Sequence, residues 1–379
     1  MSVVRPIRIA EIPVLQDFLR AHWKPDHALA RSATLLAWQH DNPFKTGSRY
    51  AKHELSFLGG WDGEQLVAVL GEIPVPFSFE GRSGRGSWLA LWKNSDAGSR
   101  AGLGLELFHQ VCMDPAVEFV GGIGINPQVK PAYRLLRFSL YEDLGLHLVL
   151  NPEKTSQLVR RKNTWDADRA QAFLPRLDPP PGARVVRAPV GQGPWEAFWD
   201  RQRRQMVAVD RSYAYLAWRY LNHPYYRYEW LQVRDDTGAL AAVGVYRIER
   251  LPDLGESVLH VVEFLGDPEA RAPLAAALAG VMREVGASFL GFRCSHRPSL
   301  HAWLPAGGVH YGADDPTYQV ASLFQPVVAS YRPLIWGYRM NGEGAARPGL
   351  DRLYATRSDG DQDRPSQLPP ETAGSCRAR

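Results

Sequence analysis

Apolar positions between residues 87 and 125 follow two different spacings. The segments Ser87–Trp92 and Val117–Ile125 are almost continuously apolar, which is typical of buried strands. Between them, Leu103, Leu107 and Val111 recur at the spacing of one helix face. The pattern predicts a strand, a turn, a helix and a second strand, the order found in α/β proteins.

A glycine-rich turn lies between the first strand and the helix. Gly98, Gly102 and Gly104 fall within seven residues. A helix N-terminus carries about half a positive charge, and glycine lets a phosphate approach the backbone closely. The turn has neither the Gly-Lys-Ser/Thr ending of a P-loop nor the G-x-G-x-x-G spacing of a dinucleotide-binding turn. It therefore predicts a phosphate site of another kind.

Two motifs in this region resemble those of the GNAT (GCN5-related) N-acetyltransferases. The turn Ser99–Gly104 resembles the family's Arg/Gln-x-x-Gly-x-Gly/Ala loop, which binds the diphosphate of acyl-CoA. Asn126, Tyr133 and Phe138 resemble the later motif Asn…Tyr-x-x-x-Gly-Phe. The motifs occur in the family's order, and the resemblance extends over roughly residues 60 to 140.

Two positions depart from the family pattern. Ser99 stands where the family prefers Arg or Gln, although Arg100 beside it could serve instead. Arg137 stands where the family often has Gly before the Phe.

The resemblance implies an acyl-CoA co-substrate, acetyl-CoA or another acyl-CoA, and direct attack of an amine on the thioester. It implies that pantetheine lies between splayed strands near Leu91 and Ile125, and that Tyr133 protonates the leaving thiolate beside it. The positions that it assigns to the coenzyme are Leu91, Ser99, Arg100, Ala101, Gly102, Leu103, Gly104 and Asn126.

An internal repeat suggests that the fold occurs twice. Leu35–Pro43 and Tyr215–Pro224 share Leu-Ala-Trp, three residues, Asn, and then Pro at once or after one residue. Each copy is followed by two predicted strands joined by a turn that ends in Gly63 or Gly238. We expect two GNAT-like domains in tandem, each with a twisted, mostly antiparallel sheet flanked by helices and a splayed central strand pair.

The predicted domain organisation follows the repeat. Residues 1–150 form a domain with the acyl-CoA loop, 151–190 a linker, 191–340 a degenerate domain and 341–379 a C-terminal tail. The proline-rich segment Leu177–Ala183 marks the boundary as a stiff, extended connection.

The second copy is predicted to lack the coenzyme site. After its apolar strand, Val258–Leu265, the chain continues as Gly266-Asp267-Pro268-Glu269 instead of a glycine turn. The carboxylates of Asp267 and Glu269 would repel a diphosphate. One coenzyme site per chain is therefore expected.

The C-terminal region contains the acidic run Asp359–Asp363, followed by Arg and Pro. It fits a solvated tail, or a segment that folds back and holds a sugar amine, with Asp359 and Asp361 as substrate-binding residues. The chain after Ser366 has the composition of a disordered segment.

The whole arrangement resembles bacterial GNAT-type sugar N-acyltransferases, which acylate dTDP-linked amino sugars for surface polysaccharides. The resemblance implies a small-molecule amine acceptor, a nucleotide-linked amino sugar. Two alternatives stay open: an aminoacyl-tRNA-dependent transferase of the peptidoglycan type, which lacks the loop, and a non-catalytic acyl-CoA-binding protein. The general base is undecided among Glu72, His40, Asp41 and the aspartates of the acidic run.

Composition narrows the remaining classes. The chain has 379 residues, a net charge of +4 and three cysteines. The small charge gives no case for a nucleic-acid partner, and the scattered cysteines favour neither disulfides nor a metal site. There is no apolar run long enough to span a membrane and no signal-peptide core at the start, so a cytoplasmic enzyme without a metal is expected.

Overall fold

The computed structural model describes residues 2–45, 48–164, 166–175, 184–301, 303, 309–328, 330–342, 347–366 and 368, without the side chains of Arg100 and Leu323. The predicted stiff connection, Leu177–Ala183, lies outside the described residues. So does the chain after Ser366, apart from Leu368.

The elements before residue 151 are listed here in chain order. The strands are β1 (Ser2–Arg8), β2 (Glu54–Asp62), β3 (Gln65–Phe79), β4 (Arg82–Asn94), β5 (Phe119–Ile123), β6 (Ser139–Tyr141) and β7 (Leu146–Leu150). The helices are α1 (Ile12–His22), α2 (Ala28–Arg31), α3 (Ala33–His40), α4 (Asp96–Arg100), α5 (Leu103–Cys112) and α6 (Lys130–Leu135).

Short strands are more common after residue 150. The strands are β8 (Val159–Arg161), β9 (Arg184–Val186), β10 (Val207–Val209), β11 (Glu229–Arg234), β12 (Leu240–Leu251), β13 (Glu256–Gly266), β14 (Phe289–Arg293), β15 (Val309–Tyr311), β16 (Tyr318–Val320), β17 (Leu323–Phe324), β18 (Val327–Val328), β19 (Trp336–Met340) and β20 (Leu353–Tyr354). The helices are α7 (Ala167–Ala172), α8 (Gln192–Gln202), α9 (Tyr213–Leu216), α10 (Pro268–Glu284) and α11 (Arg297–His301).

The described residues form two compact units. The first comprises the described parts of Met1–Ile73, Leu91–Cys112 and Arg364–Arg379, and the second those of Pro74–Ala90 and Met113–Asp363. Strands β3 and β4 contribute residues to both units.

The first unit contains a sheet edge packed against helices. β1 pairs antiparallel with β2, and β2 pairs antiparallel with the first half of β3. Its core joins the apolar face of α1 to inward-facing strand residues; the members include Leu15, Leu19, Leu36, Phe57 and Leu91. The period of about 3.6 residues in α1 places Leu15 and Leu19 on the same buried face.

The second unit contains a parallel pair formed by parts of the two strands that the sequence predicts between residues 87 and 125. β4 pairs in parallel with β5 from Gly86 opposite Phe119 to Leu89 opposite Gly122. On the other side of β5 lies β19, which pairs antiparallel with both β5 and β6. A strand from the C-terminal region is therefore inserted beside β5.

A second sheet has the strand order β15-β7-β14-β13-β12-β11-β9. Its pairs are antiparallel except β13 with β14. β7 ends at Leu150, yet it pairs with β14 in this sheet. β19, which begins at Trp336, pairs instead with β5 and β6 in the other sheet.

Helix α10 packs on the second sheet, against β11 to β14. Its first turn contains Pro268, whose missing N–H would have no partner there in any case. After its last residue comes Gly286, which has a left-handed conformation with φ +62°. The mixed α/β fold with mostly antiparallel sheets confirms the predicted fold class.

Candidate functional site

The glycine turn is more ordered than the sequence suggests. The predicted open loop contains the short helix α4, because Ser95 caps it. The Ser95 hydroxyl accepts a hydrogen bond from the Gly98 N–H at 3.2 Å and donates one to the Val67 carbonyl at 2.9 Å. The backbone N–H of Ser95 bonds the same carbonyl at 2.8 Å. The turn is thus tied to β3.

Each glycine of the turn has a different role. A Cβ at Gly98 would lie 2.2 Å from the Val67 carbonyl oxygen, so this position must stay a glycine for the turn to approach β3. Gly102 has a φ of +72°, and a Cβ there would meet no atom within 4 Å. A Cβ at Gly104 would overlap the Asn94 amide at 2.2 Å. Gly102 therefore marks the open side of the turn.

Helix α5 starts directly after Gly102. The first N–H groups of a helix have no partner within it, so this end favours an anion. Ser99, Ala101 and Gly102 are exposed, while Leu103 and Gly104 are buried. The buried Oδ1 of Asn94, beside Gly104, has no hydrogen-bond partner in the described part of the chain. The N–H groups at the start of α5 suit an anionic ligand, whereas the Asn94 oxygen is a hydrogen-bond acceptor and does not.

The other coenzyme positions of the prediction differ in their surroundings. Leu91 is buried in the core of the first unit. Asn126 is exposed, and its Oδ1 accepts a hydrogen bond at 2.9 Å from the N–H of Gln128, which caps the turn before α6. The side chain of Arg100 lies outside what the structure describes.

Tyr133 lies in α6 against the backbone of β5. Its side chain is buried, and its ring packs edge-on against Phe138 at 4.9 Å between centroids. A Cβ at Gly122 would lie 3.3 Å from the Tyr133 hydroxyl oxygen. Gly122 is the last residue of β5 in parallel register with β4. The hydroxyl therefore sits where that register ends.

Helix α6 ends at Leu135, and Arg137 follows two residues later. The N–H of Phe138 donates a hydrogen bond to the Tyr133 carbonyl at 3.1 Å, and the N–H of Arg137 donates one to the Arg134 carbonyl at 2.9 Å. These two bonds define a Schellman motif, which requires a left-handed residue. Arg137 accordingly has φ +60°. An arginine therefore holds the left-handed position that glycine usually takes at a helix end.

The acidic run is buried rather than solvated. Both carboxylate oxygens of Asp359 accept hydrogen bonds from Arg211 Nη2, at 2.8 and 2.9 Å, and Arg211 Nε also bonds Glu263. All three side chains are buried. Asp361 is buried too, and its Oδ1 accepts a hydrogen bond from Gln362 at 2.6 Å.

Asp363 completes the anchoring of this run. Its carboxylate accepts hydrogen bonds from Arg247 Nε at 2.9 Å and from the Tyr228 hydroxyl at 2.8 Å. Burial alone would raise the pKa of Asp363, but the guanidinium groups of Arg247, Arg357 and Arg219 outweigh it and lower this pKa below its usual range. The carboxylate therefore stays ionised.

The acidic run also reaches β5. A Cβ at Gly124 would lie 2.5 Å from Gln362 Nε2, and one at Gly360 would lie 3.5 Å from Ile123 Cβ. Tyr133 packs on the neighbouring Gly122 of the same strand. The end of β5 is thus contacted by Tyr133 at Gly122 and by the acidic run at Ile123 and Gly124. Sequence reasoning missed Gln362, whose position within the acidic run was the available signal.

None of the remaining base candidates is a free carboxylate or a basic imidazole. Burial lowers the pKa of His40 to about 3, so this ring is neutral. Glu72 is buried, accepts a hydrogen bond from the Tyr50 hydroxyl and pairs with Arg49 Nε at 3.4 Å. Asp41 pairs with Lys45 Nζ at 2.6 Å.

The connection from β13 to α10 is bonded to its neighbouring strand in the same way as the glycine turn, but it is shorter than that turn. The N–H of Asp267 bonds the Ala241 carbonyl of β12 at 2.9 Å, just as the N–H of Ser95 bonds Val67 of β3. Here Asp267 leads directly into α10 and accepts a hydrogen bond from Gln202 at 2.7 Å. The carboxylate of Asp267 therefore lies directly before the first turn of α10.

Two negative observations concern only the part of the chain that the structure describes. Within it, no group of three or more His, Cys, Asp or Glu side chains is placed to hold a metal ion. Of the helices in the same ranges, none combines the length and the apolar character needed to cross a bilayer.

The fold is similar to that of solved GNAT proteins. A GCN5-related N-acetyltransferase from Anabaena variabilis superposes with a TM-score of 0.54 at 9% identity, covering 90% of this chain and 73% of that one. A GCN5-related N-acetyltransferase from Kribbella flavida superposes with a TM-score of 0.51 at 16% identity, covering 90% of this chain and 71% of that one. A fungal GCN5-related glucosamine N-acetyltransferase region superposes with a TM-score of 0.52 at 9% identity, covering 89% of this chain and 38% of that one.

Sequence comparison adds nothing to this likeness. No family model and no curated protein matches the chain. At these identities the structural likeness establishes the GNAT fold alone.

Proposed function

We propose that the protein is an acyl-CoA-dependent N-acyltransferase, which moves an acetyl or short hydroxyacyl group to the amine of a small acceptor. The observation that carries the proposal is the glycine turn: within the GNAT fold, an exposed left-handed Gly102 directly precedes α5. We also infer two tandem GNAT-like domains, of which only the first keeps a coenzyme turn.

The turn would bind the coenzyme diphosphate. Ser99, Ala101 and Gly102 are exposed, and the open space above Gly102 admits phosphate oxygens to the backbone. In this proposal Leu91 supports the strand from the core, and Asn126 shapes the turn before α6.

Tyr133 would act as the general acid. The free amine attacks the thioester carbonyl carbon, a C–N bond forms and the C–S bond breaks. The Tyr133 hydroxyl gives its proton to the departing thiolate, the amine loses a proton to solvent or a base, and water reprotonates the phenolate. The position of the hydroxyl, at the end of the parallel register of β5, supports this role.

For the acceptor we propose a nucleotide-linked amino sugar. The solved relative described as a glucosamine N-acetyltransferase region supports a sugar amine. Both oxygens of Asp359 accept hydrogen bonds from Arg211, which disfavours Asp359 as the partner of an ammonium group; Asp361 is the other predicted substrate-binding aspartate.

The test is release of free thiol from acetyl-CoA in the presence of a panel of dTDP-amino sugars. We expect release that depends on both substrates and a product that is heavier by one acetyl group. Binding of acetyl-CoA without thiol release, with every amine of the panel, would instead support the non-catalytic acyl-CoA-binding protein. Failure to bind acetyl-CoA would contradict both.

A further inference from the structure

A pocket lies on one face of the second sheet, and none of the positions assigned to the coenzyme lines it. His260 of β13 and Gly291 of β14 stand opposite each other in its floor. Phe289 and Arg293, two residues to either side of Gly291, face the same way, as the alternation of a strand requires. Counted together with the open solvent at its mouth, the space between the lining atoms is about 380 Å³.

The walls of the pocket are mostly apolar. Leu146 of β7 lies beside Arg293, and the Phe324 ring is 5.2 Å from that of His260. Ala321 and Ser322 complete this side. Pockets of this kind hold the apolar part of a ligand and orient it by a few polar groups.

The polar groups of the pocket are basic. The Arg357 guanidinium makes one hydrogen bond to the described residues, from Nε to the Gln362 carbonyl at 2.9 Å. Arg293 Nη1 donates to Asp143 at 3.1 Å and to the Tyr331 hydroxyl at 3.2 Å. The Nε2 of His260 is buried and makes no hydrogen bond to the described residues.

The charged side chains that line the pocket are cationic. Among the described residues that line it, none is an Asp or a Glu. Burial lowers the pKa of Arg357, and it lowers that of His260 well below the usual value; the nearby Arg247 and Arg293 act in the same direction, and Asp363 opposes them at both groups. Asp143 offsets the charge of Arg293 and Asp363 that of Arg357, and an anion in the pocket would be a further partner for both guanidinium groups.

We propose that this pocket binds a small carboxylate with an apolar body, such as an aromatic or short branched acid. The carboxylate would lie between Arg357 and Arg293 with His260 as a further partner, and the apolar body would contact Phe289 and Phe324. The site is independent of the glycine turn, so the proposal does not rest on the proposed reaction.

The first test is calorimetric titration of the full-length protein with benzoate, butyrate, inorganic phosphate and benzamide, with and without saturating CoA. Benzamide has the shape of benzoate without its charge. We expect one benzoate per chain, at least tenfold weaker binding of benzamide and phosphate, and no competition by CoA. No binding of either carboxylate, equal binding of benzamide, or displacement by CoA would overturn the proposal.

The second test is Arg357→Met, with Arg250→Met on the exposed side of β12 as the matched control. We expect Arg357→Met to weaken benzoate binding at least tenfold in the folded protein, and to lower the melting temperature without ligand because Asp363 loses one of its cationic neighbours. Arg250→Met is expected to bind like the wild type. A merely structural Arg357 would leave benzoate affinity unchanged in the folded fraction.

A pocket-filling variant keeps the proposal testable if Arg357→Met does not fold. A Cβ at Gly291 would lie 3.2 Å from Leu146 Cδ1, so Gly291→Ala narrows the floor without removing charge. We expect weaker binding of benzoate than of the slimmer butyrate in this variant. Unchanged relative affinities for the two acids would contradict the placement of the ligand.

Discussion

The glycine turn Ser95–Gly104 and the acidic run Asp359–Asp363 both look like ligand sites in the sequence, but their side chains and backbone are used differently. The turn is tied to β3 by Ser95 and leaves Gly102 open. The run is buried, and its carboxylates bond to Arg211 and Arg247. Residue type alone therefore does not show whether a polar group is open to a ligand or is already bonded within the protein.

The difference has a physical origin. An anion site needs donors that face open space, which a left-handed glycine before a helix provides. Three aspartates in five residues repel one another unless cations lie close by, and burial strengthens both effects. The arginines that neutralise Asp359 and Asp363 come from elements 148 and 116 positions away in the chain.

Asp359→Asn should produce the largest change in stability. It leaves Arg211 and Glu263 buried without their third charged partner, and breaking such a cluster typically costs about 3–5 kcal/mol. Urea denaturation would measure the loss, with Asp236→Asn in an exposed turn as the control. A variant as stable as the control but with a raised KM for the acceptor would return Asp359 to the role of a substrate-binding residue.

Acidification should weaken the attachment of the run at Asp363. Its pKa is lower in the folded protein than in the unfolded chain, so unfolding takes up a proton and stability falls as the pH drops below about 4. In Asp363→Asn this dependence should be smaller by up to about 1.4 kcal/mol per pH unit. Denaturation at pH 4, 3.5 and 3 measures both slopes, and equal slopes would show that Asp363 is not held as described.

Gly102→Ala should separate a ligand role from backbone strain. Gly238 is the matched control, because it too has a positive φ and open space around a would-be Cβ. Each substitution should cost about 1 kcal/mol of stability. Only Gly102→Ala should also weaken acetyl-CoA binding, by about tenfold or more, in calorimetric titration. Equal affinities for acetyl-CoA in the two variants would contradict the proposal that the glycine turn binds the coenzyme.

Arg137→Gly should give the smallest effect, a gain of about 0.5–1 kcal/mol. Arg137 has the left-handed conformation that Gly286 adopts at the end of α10, and glycine adopts it without steric cost. Thermal denaturation would measure the gain, with Arg134→Gly inside α6 as a control that should lose stability. A loss in Arg137→Gly would mean that the arginine side chain stabilises this helix end.

Local patterns in the sequence predicted local structure well. Apolar spacing found β4, α5 and β5, and the GNAT-like motifs led to Tyr133, which packs on β5. The short helix α4 was missed, although Ser95 followed by Asp96 is a capping signal. The placement of β7 and β19 was not predictable, because strand partners distant in sequence leave no periodic trace in a single chain.

The most direct test of the account compares Tyr133→Phe with Tyr225→Phe, a change at an exposed tyrosine. If the Tyr133 hydroxyl protonates the leaving thiolate, Tyr133→Phe should lower kcat by about 10²–10³-fold and leave the dissociation constant of acetyl-CoA unchanged, while Tyr225→Phe should match the wild type in both. Full turnover in Tyr133→Phe, with the same acceptor and coenzyme, would contradict the proposed catalytic role.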